Sequence, residues 1–115
     1  MENHFELEHI GINMENETEA QELANQLSMI FNLTPRHGQK SEFAGDYFEC
    51  MKSPFLGKNG HIAMWTTNLE SAVAELKAKG LSFNMETAAY DEENKLKNIY
   101  LAEEFGGFAI HILRK

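Results

Sequence analysis

The chain has 115 residues, 43% of them hydrophobic, which is enough for one compact domain with a buried core and excludes an intrinsically disordered chain. Acidic residues outnumber basic ones 18 to 10, giving a formal net charge of −8, and no run of Lys or Arg could track phosphates, so nucleic acid is not an expected partner. No apolar run reaches the roughly 20 residues that span a bilayer, and Met1-Glu2-Asn3-His4 is not a basic segment leading into an apolar one, so a cytoplasmic protein without membrane contact is expected.

In chain order, residues 5–13 read as a strand. Asn16 is placed to cap a helix, with Glu19 three residues later reaching back, and Ala20, Leu23, Ala24, Leu27, Ile30 and Phe31 form its apolar stripe. Pro35 forbids more helix. Residues 34–52 hold two or three short strands turning at Gly38 and Gly45, the last of them over 47–52. Pro54, Gly57 and Lys58-Asn59-Gly60 mark 54–59 as a connection, which divides a single domain of residues 1–115 into a module of about 1–53 and another of about 60–115.

The second module repeats the order. A strand begins at Gly60, Thr67-Asn68-Leu69-Glu70 reads as a capping box, and Leu69, Ala72, Val73 and Leu76 stripe a helix that closes at Gly80. Residues 81–83 read as a short strand, the acidic stretch 86–95 as an exposed turn, 98–102 as a strand, Gly106-Gly107 as a turn and 109–114 as the last strand. Strand, helix, then three strands occurs twice, which is an α+β class of fold.

Side chains alternate across a strand, so residue type assigns faces. His9, Gly11 and Asn13 share one face and Ile10 and Ile12 the other; His61 and Trp65 lie opposite Ile62 and Met64. Glu49, with Tyr47 and Met51, lies opposite Phe48 and Cys50, and His111, with Ala109 and Leu113, lies opposite Phe108, Ile110 and Ile112. The apolar faces mark the helix-packed side, where the single cysteine, Cys50, is a small buried hydrophobe with no disulfide partner. His9, Glu49, His61 and His111 then share one concavity as four metal-type ligands. A lone strand histidine is more often a hydrogen-bonded structural residue, but four ligand-capable residues at equivalent places reverse that weighing. A metal-free arrangement, in which Glu49 bonds a protonated His61 or His111, stays open. His4 and His37 fall outside the pattern and read as solvated.

This doubled βαβββ pattern resembles the vicinal oxygen chelate superfamily, which includes glyoxalase I, methylmalonyl-CoA epimerase, extradiol dioxygenases and bleomycin-resistance proteins. The resemblance spans nearly the whole chain and is carried by His9-Ile10-Gly11-Ile12, Gly60-His61-Ile62-Ala63, the helix over 72–80 and Gly106-Gly107-Phe108-Ala109-Ile110-His111-Ile112-Leu113. It implies a glyoxalase-like fold, two βαβββ modules forming a curved eight-stranded mixed sheet, with metal ligands on the first and last strand of each module. Those positions are held here by His9, Glu49, His61 and His111. The last is commonly Glu, so His111 is a departure that bears on metal identity and proton transfer. A closer similarity is to a small domain fused to or encoded beside 2-keto-3-deoxy-6-phosphogluconate aldolase in some Gram-positive bacteria, which implies a place in sugar-acid metabolism. It would not make this chain an aldolase, whose barrel is far larger.

Three imidazoles and one carboxylate would leave a divalent transition metal such as zinc, nickel, iron or manganese with a charge of about +1 and room for exchangeable water. Such a Lewis acid holds two adjacent substrate oxygens and acidifies the neighbouring C–H. Glu49 is the candidate base, with His111 as an alternative relay, and Asn13, Tyr47, Met51 and Trp65 are candidate pocket walls. Where Asn13 stands, glyoxalase-like proteins often carry a basic residue, so a small substrate is expected in place of a glutathione adduct. The expected function is that of a metal-dependent lyase or isomerase on a small oxygenated metabolite. The alternatives are a small-molecule binding protein of the bleomycin-resistance type and an accessory domain of a sugar-acid aldolase; extradiol chemistry ranks lower because of His111. Sheet edges and an open face make a homodimer the expected assembly.

Overall fold

The computed structural model describes residues 2–115. Its elements are β1 (Glu6–Asn13), α1 (Glu17–Phe31), β2 (Pro35–His37), β3 (Ser41–Ala44), β4 (Phe48–Met51), β5 (Gly60–Thr66), α2 (Leu69–Ala78), β6 (Phe83–Tyr90), β7 (Leu96–Leu101) and β8 (Phe108–Arg114). The eight strands form one mixed sheet in the order β2-β3-β4-β1-β5-β8-β7-β6, so each βαβββ module supplies one half. Within each half the first strand runs parallel to the last, β1 beside β4 and β5 beside β8. The halves join where β1 and β5 pair antiparallel about Ile10 and Ile62, with His9 opposite Ala63 and Gly11 opposite His61. That register relates the modules by a local twofold.

Each helix covers one half. Ala20 and Ala24 of α1 meet Ala44 and Cys50 of the sheet, all essentially without exposed surface; the small side chains let the helix lie close. Burial pushes the Cys50 thiol up to about 11, and the charges of Glu42 and Glu49 add to the effect. Under the other half, Leu69 of α2 packs with Leu96, Ile99 and Ile112. Among the described residues no helix is long and apolar enough to cross a membrane.

The helix ends follow local chemistry with two departures. Asn16 Oδ1 accepts the Glu19 amide at 2.9 Å, and α1 stops where Asn32 turns left-handed at φ 57°. The buried row of α1 runs through Ala20, Ala24 and Ser28, whereas Ile30 and Phe31, expected on the stripe, are 59% and 58% exposed. The row advances by four residues, and the last turn reaches past the sheet. In α2 the cap is Asn68, which accepts the Ser71 amide at 3.1 Å; Glu70 instead accepts the Leu96 amide, tying the helix to β7. Leu81 N–H bonds Leu76 O at 3.0 Å with Gly80 at φ 94°, a left-handed helix stop.

The largest correction concerns 81–95. Leu81 closes the helix, β6 begins at Phe83 and runs to Tyr90, and the turn occupies only the segment after it. Asp91 Oδ1 accepts the amides of Glu93 and Lys95, each at 2.9 Å, and Asn94 adopts φ 65°, so five residues suffice to reverse the chain. The strand is an edge with register shifts between Asn84 and Tyr90, and only Phe83 and Ala88 pack on the core. Such a strand lacks the alternation by which strands are recognised.

Candidate metal centre

The middle of the sheet builds the site by pairing bulky polar residues with small ones. Glu49 lies beside Gly11 on one side, and Gly11 faces His61 on the other. A Cβ on Gly11 would come under 3.0 Å from Cε1, Nδ1 and Nε2 of the His61 ring, so the ring occupies the space a side chain would fill. Ala63, with no exposed surface, lies between His9 on β1 and His111 on β8. Two small floor residues therefore let three imidazoles and a carboxylate converge.

His9 Nε2, His61 Nε2 and Glu49 Oε1 form a triangle with every side 3.2 Å. Ligands on a tetrahedron with 2.0 Å bonds are about 3.3 Å apart, and cis ligands of an octahedron at 2.1 Å about 3.0 Å, so the triangle has the size of one coordination face. A second grouping is the three histidines: the ligand-capable nitrogens of His9, His61 and His111 all lie within 4.8 Å of one another, a group that does not include Glu49. His111 Nδ1 is 2.6 Å from Asn98 Oδ1, which can only accept, so Nδ1 carries the proton and Nε2 keeps a lone pair. That Nε2 is buried with no hydrogen-bond partner. A cation is the kind of partner such a lone pair fits. His61 Nδ1, over Gly11, is likewise buried without a partner.

The site's electrostatics favour an ionised Glu49 and a neutral His111. Burial raises the Glu49 carboxyl, but hydrogen bonds from His61, His9 and Ser41 outweigh it and hold the group well below the usual carboxylate range. Ser41 Oγ donates to Glu49 Oε2 at 2.6 Å, leaving Oε1 for the histidines. Burial, reinforced by the charges of His61 and His9, lowers His111 to about 3. The Tyr100 ring stacks on His111 at 4.5 Å and 19°, and burial together with the Glu49 charge raises its phenol to about 12.

The four expected ligands line a cavity of about 280 Å³ together with Met51, Tyr100, Phe55 and Lys40. Tyr47 and Trp65 line a second cavity of about 560 Å³, which also reaches His9. Asn13 holds the connection between modules: its Nδ2 donates to Gly57 O at 2.9 Å and its Oδ1 accepts the Phe55 amide at 3.2 Å. His4 is exposed beside Glu6. The His37 ring is exposed too, yet its Nδ1 bonds the buried Glu42, which also pairs with Lys52 Nζ at 3.2 Å. Ser41, Asn98 and Tyr100 were not foreseen as parts of the site. Their signal lies in pairing, since Ser41 is opposite Met51, Tyr100 opposite His111 and Asn98 opposite Leu113.

No protein-family model matches the sequence, and no curated protein matches it. Solved structures do resemble the fold. One is a hypothetical protein, BH1468, from Bacillus halodurans C-125, at TM-score 0.62 and 18% identity, covering 96% of this chain and 94% of that one. Another is methylmalonyl-CoA epimerase from Mycobacterium tuberculosis, at TM-score 0.56 and 15% identity, covering 94% and 86%. At these identities the likeness is one of architecture: the chain has the α+β glyoxalase-like fold, with its ligand-type residues on the four central strands of the sheet.

Proposed function

We propose that the protein is a metal-dependent enzyme of lyase or isomerase type, holding one divalent transition metal through His9, Glu49, His61 and His111 and moving a proton on a small oxygenated metabolite. The observation that carries this reading is the 3.2 Å triangle of His9 Nε2, His61 Nε2 and Glu49 Oε1, beside the unpartnered lone pair of His111. A bound zinc, nickel, iron or manganese ion would supply Lewis acidity to two vicinal oxygens of the substrate and so acidify the adjoining C–H.

The chain's own residues supply the rest. Glu49, with Oε2 held by Ser41, is the carboxylate proposed to take the substrate proton. His111, held by Asn98 and Tyr100, presents Nε2 to the same cavity. Met51 and Phe55 wall the cavity with apolar surface that limits water, and Lys40 places a cation on its lining. That a methylmalonyl-CoA epimerase shares the architecture supports proton transfer as the class of reaction. The open edges β2 and β6 support assembly as a homodimer.

The experiment is elemental analysis of reconstituted, untagged wild type against His61→Ala, followed by incubation of the loaded protein in D₂O with small 2-oxo and 2-hydroxy acids. One metal per chain, lost in the variant, and deuterium uptake by NMR are expected. Near-zero metal in both proteins would sink the reading, and tight binding without exchange would make this a binding protein of the bleomycin-resistance type.

A further inference from the structure

The cavity next to the candidate metal centre is lined by an arginine, Arg36, whose guanidinium has no anionic partner among the described residues. Arg36 on β2 pairs with Phe43 on β3, which pairs with Glu49 on β4, so the three form a row on one face of the sheet. With strands about 4.8 Å apart, the Arg36 backbone stands roughly 10 Å from that of Glu49. The guanidinium lies over the Phe43 ring, with Cζ 3.9 Å from the ring centroid.

Among the described residues it makes no ion pair or hydrogen bond. The other arginine, Arg114, is spent on Asp91 and on Leu96 O. Arg36 is exposed on the edge strand, so its guanidinium is open to a ligand entering from solvent. The cavity it lines is about 560 Å³ in volume and is continued to the metal centre by His9, with Tyr47 and Trp65 as aromatic walls. Of its acidic lining, Glu8 is paired with Lys115 at 2.8 Å, while Glu6 has only the exposed His4 ring beside it. Asp46 also lines the cavity, as does Lys115.

We propose that Arg36 is the anion-recognising residue of an extended substrate site. The substrate is an organic acid whose vicinal oxygens enter the cavity of His9, Glu49, His61 and His111 and whose far end carries a carboxylate or phosphate taken by the guanidinium. This rests on the reading of that cavity as a metal centre. A guanidinium pairs with either terminal acid through two parallel N–H donors, and stacking on Phe43 leaves its edge free to do so. Lys40 lines the smaller cavity, but it is a flexible point charge with no ring beneath it, so the terminal acid is assigned to Arg36.

The test is calorimetric binding to metal-loaded protein. The probes are 2-oxoglutarate and 2-oxoadipate, the monoacids 2-oxopentanoate and 2-oxohexanoate of equal length, and 4-phosphono-2-oxobutanoate. Wild type is expected to bind a diacid or the phosphonate about tenfold or more tighter than the monoacid. Which of the two is preferred identifies the terminal acid. Arg36→Ala and Arg36→Gln should abolish the preference with metal content unchanged, and Arg36→Lys should restore part of it. Equal binding of diacid and monoacid by wild type, a preference that survives in Arg36→Ala, or one lost only in Lys40→Ala would overturn the assignment while leaving the metal centre standing. Wild type that takes up no metal yet keeps an Arg36-dependent preference would overturn the metal reading and uphold the anion site.

Discussion

Asn98 Oδ1 sits 2.6 Å from His111 Nδ1 and so determines which nitrogen of His111 faces the cavity. The two residues come from neighbouring antiparallel strands, where Asn98 is one residue pair further along than the Tyr100–His111 pair on the same face. Asn98→Ala removes the acceptor that keeps the proton on Nδ1, freeing the ring to change tautomer and turn. Metal affinity should fall about 10- to 100-fold with the fold intact, measured by competition with a chromophoric chelator. Unchanged affinity would mean that Asn98 does not orient the ligand.

Gly11→Ala should be among the most damaging single-atom additions in the chain. The new methyl group lands in the His61 ring, and because Gly11 lies between β4 and β5 the backbone has little room to retreat. The expected cost is about 1–3 kcal/mol in urea unfolding, together with loss of metal. Ala63→Gly, at the equivalent place in the second module, adds nothing that could displace His9 and should retain metal.

Glu49→Gln and Ser41→Ala separate charge from position. The amide keeps an oxygen to offer but cannot take a proton, so deuterium exchange should disappear while part of the metal affinity persists. Ser41→Ala leaves the carboxylate charge and removes the donor to Oε2. It should weaken metal binding by about 1.5–3 kcal/mol, the usual range for a hydrogen bond to a charged group, and slow exchange without abolishing it.

Cys50, on the helix-packed face of β4 beside Glu49, gives a pH dependence of its own. Its folded thiol is raised from 9.0 to about 11 by burial and by Glu42 and Glu49, so between those values the unfolded chain loses the proton first. The contribution of this group is therefore constant below pH 9 and falls as pH rises from there toward 11, by on the order of 2 kcal/mol. Cys50→Ala should flatten that part of the urea-unfolding profile. In native protein at pH 8 the thiol should resist iodoacetamide and react fully in denaturant.

Leu69→Ala tests the independence of core and site. Leu69 has no exposed surface and anchors α2 against Leu96, Ile99 and Ile112, on the face of the sheet away from the ligands. About 2–5 kcal/mol of stability should be lost with metal stoichiometry at low temperature unchanged. Loss of metal at full folding would show that the two faces are coupled.

What the amino-acid sequence determined by itself was periodicity and its doubling. Alternation put Ile10, Ile62, Cys50 and Ile112 on one face and His9, His61, Glu49 and His111 on the other, and the repeat of strand, helix and three strands announced two halves of one sheet. Asn16 and Gly80 marked helix ends because capping is local chemistry. Alternation, however, assigns a face and says nothing of register. Only the antiparallel pairing about Ile10 and Ile62 brings His9 and His61 to 3.2 Å, and only strand neighbours deliver Ser41 to Glu49, Asn98 and Tyr100 to His111, and Arg36 to Phe43. The tertiary structure likewise decided that 83–90 is a strand, since a polar edge strand is held by backbone pairing to β7 and leaves almost no hydrophobic pattern to read. Glu70 turned from its own helix cap to the Leu96 amide for the same reason: a backbone donor brought close by folding competes with one close in sequence.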